Sequence, residues 1–302
     1  MTPARRAGGL GVAMLARLFR PLDGHAWLAS ATVVFCAVIG LTTFHLWQQH
    51  GNKIVSNPRY RLKTDRLEVT PQPDWIRSDV VQNAITYGHL YNANLLDPEL
   101  HLRVRQAFGV QPWVKKVLRI NKKFPSALEV DLEYRQPVAM VFVPKGTFVD
   151  HDYDGLIPVD DEGCMLPTEM NKSEGDLYPK IFGIDSFPAG MAGNPWGDPR
   201  VAEAAQIVTL LSSAWEKLEL WAIQVPKVQS PIEGPVDKNY YLITKKQRRI
   251  PWGPAPGKEA PGSPSAVEKA RLFKTYGEQR GALDSFDQPE VNISSLKRSL
   301  VR

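Results

Sequence analysis

The residues most suggestive of chemistry are a run of carboxylates. Asp150, Asp152, Asp154 and Gly155 follow the D-x-D-x-D-G opening of a calcium loop, with Ile157 at the eighth position and Asp161 at the twelfth. Closely spaced carboxylates on a tight glycine turn can supply the oxygen ligands that calcium needs. The same stretch, continued to Glu162, could also offer an acid–base pair to an anchored hydrolase if burial raised one of the pKa values. Two features favour a solvated acidic turn instead. Strand-like patterns lie on both sides where a calcium loop has helices, and the twelfth residue is Asp, not the bidentate Glu. The expectation is therefore no metal and no cofactor, with Asp150, Asp152, Asp154 and Asp161 the candidate ligands should calcium bind.

Other catalytic patterns are missing from the sequence. It has no GxxxxGK[ST], no HExxH, no GxSxG and no CxxC. Its six histidines are His25, His45, His50, His89, His101 and His151. Three of them flank or fall in an apolar segment, which makes a triad or a metal cage hard to assemble. The reading is a chain with no catalytic residues and no small-molecule substrate.

The 302 residues allow about two ordinary domains and a sizeable core. Lys and Arg number 37 against 32 Asp and Glu, a net charge of +5. That charge is uneven, since Arg5, Arg6, Arg17 and Arg20 stand against Asp23 alone at the N-terminus. The remainder is nearly neutral and carries no basic stripe interleaved with aromatics, which argues against nucleic acid as a partner. Cys36 and Cys164 lie in different environments and do not readily pair.

The elements begin with a membrane segment. No Lys, Arg, Asp or Glu occurs between Asp23 and Lys53, and Trp27–Trp47 is an apolar run of 21 residues. At about 1.5 Å per residue such a helix crosses the ~30 Å hydrocarbon core of a bilayer, with Trp at each interface. The run exceeds a signal-peptide core of about 7–15 residues, and no small-x-small cleavage site follows it. It is read as a retained anchor over 27–48, after an N-terminal segment 1–26. Basic residues flank both sides in similar number, so charge does not set the orientation.

Residues 49–64 are polar and read as a linker. A first unit, 65–136, opens with a strand at 66–70. Helices follow at 78–84, with Ser78 as cap, and at 98–108, with Asp97 as cap and Pro98 in the first position. Strands at 114–121 and 128–135 flank a turn at 121–126. In the second of these, Leu128, Val130, Leu132 and Tyr134 alternate with Glu129, Asp131, Glu133 and Arg135. A second unit, 137–296, holds strands at 138–143 and 156–159, a helix at 201–218 and a hairpin at 240–252. A helix over 264–280 follows, capped by Ser263 or Ser265 with Glu268. A last strand lies at 290–294, before a tail at 297–302, and residues 171–198 read as an insertion.

The stretch Leu102–Val141 resembles the FtsQ/DivIB family of bacterial cell-division proteins. The resemblance lies in the step Pro112–Trp113–Val114, the basic strand after it, a basic turn containing Pro125, the acidic alternating strand, and Gln136–Pro137–Val138–Ala139. Leu156–Leu166 is similar to that family's hairpin with a "value-Asp-x-x-Gly" signature. The resemblance implies an α+β chain: one transmembrane helix, a POTRA domain of order β-α-α-β-β, and a β domain with a largely antiparallel sheet. It also implies a single-pass protein of the inner membrane at the division site, with the N-terminus cytoplasmic and the body extracytoplasmic. Its function would be a non-catalytic scaffold for septum formation. The implied partners are other single-span division proteins like FtsL and FtsB. A membrane-anchored POTRA protein of envelope transport or assembly is the alternative.

The expected partner-binding surface is the final strand. Val291 and Ile293 can face a core while the edge amide groups of 290–294 accept a strand from a partner. The resemblance points to the same edge. The candidates are Val291, Asn292, Ile293 and Ser294, with Tyr276 on the helix before them.

Overall fold

The computed structural model describes residues 24–144, 155–227 and 237–285. The chain divides into two units, Met1–Arg61 and Leu62–Arg302, taken in turn.

The first unit is dominated by helix α1, Gly24–Val55, of which Ala31–Gly51 is long and apolar enough to cross a membrane. Val33, Phe35, Leu41 and Phe44 are exposed along it, as side chains facing lipid would be. Thr42 donates its hydroxyl to the Val38 carbonyl at 2.8 Å, and Thr43 likewise turns back on the Ile39 carbonyl. In hydrocarbon, that is how a hydroxyl finds a partner without leaving its own helix. The helix outruns the expected span and takes up residues 49–55 of the expected linker. No proline lies within it before Pro58, and Lys53 in the last turn complements the helix dipole. Asn57, restricted by the proline after it, starts a 3-10 turn, Pro58–Tyr60, by accepting the Arg59 amide at 3.0 Å.

The second unit is mixed α+β and contains two sheets. In the smaller, β1 (Leu67–Val69) pairs parallel with β3 (Ala127–Tyr134), and β3 pairs antiparallel with β2 (Val114–Lys123), giving the order β1-β3-β2. Helices α2 (Val80–Tyr87) and α3 (Leu100–Gly109) lie between β1 and β2 in sequence. Their Val80, Ala84, Val104 and Phe108 share one core with Leu128, Val130 and Leu132, the inward half of the β3 alternation. The outward half meets basic residues of β2. Arg119 lies 2.8 Å from Asp131, and Lys123 lies 3.5 Å from Glu129. Pairs this exposed are screened by water and add little, so the buried face holds the sheet together and the charges tune its register.

Both helix starts differ from expectation. Asp79, not Ser78, caps α2 by accepting the Gln82 amide. Pro98 lies outside α3, because Asp97 spends its side chain on the Glu99 amide and so forms a turn that delays the helix to Leu100.

The larger sheet has the order β5-β4-β6-β7-β8-β9. Its strands are β4 (Ala139–Val143), β5 (Gly155–Val159), β6 (Lys180–Phe182), β7 (Leu220–Gln224), β8 (Tyr240–Thr244) and β9 (Arg249–Gly253). The pairing is mixed: β6 runs parallel to both β4 and β7, while the outer pairings are antiparallel. The expectation of a largely antiparallel sheet thus fails at its centre. Residues 171–198, read from the sequence as an insertion, are part of the fold. They supply the short helix α4 (Lys172–Gly175) and the central strand β6, which is too brief to show an alternation. Lys180 is buried in β6 and donates to the carbonyls of Gly175, Asp176 and Tyr178. The expected helix 201–218 becomes α5 (Pro199–Leu211), a 3-10 turn and then β7, which begins after Glu219 takes a φ of 54°.

Helices α5 and α6 (Ala266–Arg280) close the core of this sheet. Val201, Ala204, Val208, Phe273 and Tyr276 pack with Trp196, Tyr240 and Trp252. Ser265 caps α6 reciprocally with Glu268, as the sequence predicts. Residues 290–294 and 297–302 lie outside the described residues.

Replacing Ser265 by Ala leaves an amide of the first turn without its side-chain acceptor. The loss should be about 1 kcal/mol of stability, read as a lower urea midpoint with an unchanged slope in the detergent-solubilised chain.

Candidate functional site: a charged seam beside the two sheets

The carboxylate run divides between what the structure describes and what it does not. Asp150, Asp152 and Asp154 lie outside the described residues, as do Val291, Asn292, Ile293 and Ser294. Tyr276 is 3% exposed and belongs to the core of the larger sheet. Asp161 is described, and its carboxylate is held by the Lys115 ammonium at 2.9 and 3.1 Å. That hydrogen bond, followed by the charge of Asp161, raises the Lys115 pKa above its ordinary value.

The neighbouring Asp160 has no exposed surface, and it organises the turn after β5. One carboxylate oxygen accepts the Glu162 and Cys164 amides at 3.0 and 2.8 Å. The other accepts from the Arg135 guanidinium at 2.5 Å, just past the end of β3. The turn closes tightly because Gly163 has a φ of +73°, and a Cβ there would come within 2.6 Å of the Ala202 backbone on α5. The "value-Asp-x-x-Gly" signature thus has a physical content: a buried acid that binds its own turn and a glycine that lets a helix approach.

Downstream of this turn the chain lies along the smaller sheet. Leu166 is buried in that sheet's core, although it comes from the other half of the sequence. Glu169 accepts the Trp113 indole N–H at 3.1 Å, and the amides of Arg77 and Ser78 at 2.9 and 3.2 Å. Desolvation pushes the Glu169 carboxyl up, but the donors on Ser78, Trp113 and Arg77 outweigh it and hold the pKa below its ordinary value. Arg77 also pairs with Glu174. From the other side, the Trp75 indole N–H donates to the Arg135 carbonyl at 3.1 Å. The arrangement is a strap, residues 160–174, fastened to the first sheet by Arg135, Lys115, Trp113 and Arg77.

Among the described residues, Asp160, Glu162 and Cys164 place three ligand-type atoms within 4.8 Å of one another. Their chemistry fits a metal poorly. Asp160 is already saturated by Arg135 and two amides, and burial, then the Asp160 charge, pushes the Cys164 thiol above its ordinary pKa. A thiol that stays protonated at neutral pH is a weak ligand and a weak nucleophile. Sequence reasoning missed Arg135, Lys115, Trp113, Asp160 and Glu169 as a group. Its one available signal was that the basic and aromatic members sit at strand ends while the acids follow a strand.

No protein-family model matches the chain, and no curated protein matches it.

Two outcomes test this seam. Arg135→Met should cost about 3–5 kcal/mol, because it strands a buried carboxylate, and Arg135→Met with Asp160→Asn should recover part of that loss in urea unfolding. Because the folded Glu169 pKa is depressed, its stabilisation is present above the ordinary value of 4.5 and is lost as the pH falls through the folded value. Glu169→Gln should therefore lower stability at pH 7 and flatten the acid limb of a stability–pH profile.

Proposed function

We propose that this chain is a non-catalytic scaffold of bacterial cell division, similar to the FtsQ/DivIB family. It would be held in the inner membrane by α1, with its body extracytoplasmic at the division site. One observation carries the reading. The motifs on which the resemblance rests are far apart in sequence, yet they meet at the seam: Trp113 of the Pro-Trp-Val step, Arg135 before Gln136–Ala139, and Asp160 with Gly163.

Two further features support it. The β-α-α-β-β order of the smaller sheet behind a single apolar helix is the order of a POTRA domain in such a protein. The acids of the 160–162 turn are bound to Arg135 and Lys115, which suits a stiff joint better than acid–base chemistry. A scaffold needs such a joint, because surfaces that present partners to one another must keep a constant geometry. The partners would be single-span membrane proteins like FtsL and FtsB, bound along the edge formed by Val291, Asn292, Ile293 and Ser294. Tyr276, buried in the core of the larger sheet, is not part of that surface.

Photo-crosslinking from position 292 in cells, with an N-terminal affinity tag, tests the proposal. Small single-span, coiled-coil membrane proteins should dominate the adducts. Adducts dominated by transport or outer-envelope proteins would overturn the division reading in favour of an envelope-assembly role.

A further inference from the structure

The parallel pairing of β1 with β3 brings three chain segments to one end of the smaller sheet. Leu67 is opposite Leu128 and Lys123 is opposite Ala127, so the start of β1, the end of β2 and the start of β3 lie together. The chain enters the body at this same end. Leu62 donates its amide to the Ala93 carbonyl at 2.7 Å, and Lys63 donates to the Ser126 carbonyl at 3.3 Å. Arg66 binds the Ser126 hydroxyl at 2.9 Å. Entry point and β2–β3 turn are therefore one surface.

That surface has an unusual composition for a turn. Phe124 stands at its tip, 59% exposed, where polar residues are the rule. Lys122 and Lys123 precede it, and Lys63 and Arg66 are beside it, against Asp65, Glu68 and Glu129. Lys123 reaches Glu68 at 2.5 Å and Lys122 donates to the Asp97 carbonyl, so both lysines are splayed to the sides of the tip. Two residues before Ala93, Tyr91 is a second aromatic with half of its surface exposed.

Covalent length supplies the occupant. Only residues 56–61 separate the end of α1 from Leu62, the first core residue of the body. Seven peptide units span at most about 25 Å, so a membrane crossed by α1 is within reach of this end. At a bilayer surface, aromatic side chains settle among headgroups and basic ones meet lipid phosphates.

We propose that the β2–β3 turn is a membrane-surface contact: Phe124 enters the headgroup layer of an anionic bilayer while Lys122, Lys123, Lys63 and Arg66 face lipid phosphates. The contact depends on α1 crossing the membrane and not on the division reading.

Its test uses the full chain in nanodiscs of phosphatidylcholine alone or mixed with phosphatidylglycerol. Hydrogen exchange of the unmodified chain should slow several-fold over residues 121–126 when phosphatidylglycerol is present. An environment-sensitive fluorophore on Phe124→Cys, in a Cys36→Ser, Cys164→Ala background, should shift to the blue and be quenched by lipids carrying a nitroxide near the headgroup. Lys122→Glu with Lys123→Glu should abolish both signals. Equal exchange in the two lipids, or a water-like emission in both, would overturn the proposal.

Discussion

The Asp160 carboxylate is the point on which the rest of the body turns. A buried carboxylate is tolerable only when its lone pairs are filled, and here two amides of its own turn and the Arg135 guanidinium fill them. Satisfying that one charge forces the turn after β5 to close tightly and brings the end of β3 against it. The position of Gly163 under α5 follows from the closed turn. So does the course of the strap that follows, because the residues leaving the turn can only run along the smaller sheet.

The two cores are consequently not independent. Leu166 belongs by sequence to the second half, yet it fills the core of the first. Gly193, from the loop ahead of α5, sits so close to Pro112 that a Cβ would come within 2.9 Å of the Pro112 backbone. A buried cation, Arg200, likewise ties the start of α5 to Asp198, Asp185 and the Pro226 carbonyl. The pattern repeats at both sites: a charge taken out of water fastens pieces of chain that hydrophobic packing alone would leave free to slide. Apolar burial supplies most of the stabilisation, and these polar clusters supply the alignment.

Much of this was legible in the sequence where a signal is local. The β3 alternation, the Ser265–Glu268 box and the apolar run of α1 announce themselves within a few residues, because period and capping chemistry act at short range. The caps of α2 and α3 were displaced by a residue or two, since Asp79 takes the Gln82 amide in place of Ser78, and Asp97 binds the Glu99 amide in a turn ahead of α3. Strands β6 and β7 were missed for a different reason. Each is short and lies between neighbours on both sides, so it shows no alternation, and only the tertiary fold declares it a strand. The seam was illegible as a unit, because its members are distributed from Arg77 to Glu174 and their pairing exists only once both sheets are assembled.

The parallel placement of β6 has a consequence for the order in which the body forms. The smaller sheet draws its three strands from one continuous stretch and can close as soon as β3 is free to pair. The larger sheet cannot. Its β4–β5 hairpin, made early, offers an open edge that only β6 can occupy, and β6 in turn needs β7, which lies beyond the whole of α5. Non-local parallel pairing is slow because loop closure must come before any contact rewards it. During that wait the hairpin edge is exposed to other chains. The hairpin's own far end carries Asp160, so the joint with the finished small sheet can engage first and hold the growing half in place until its centre arrives.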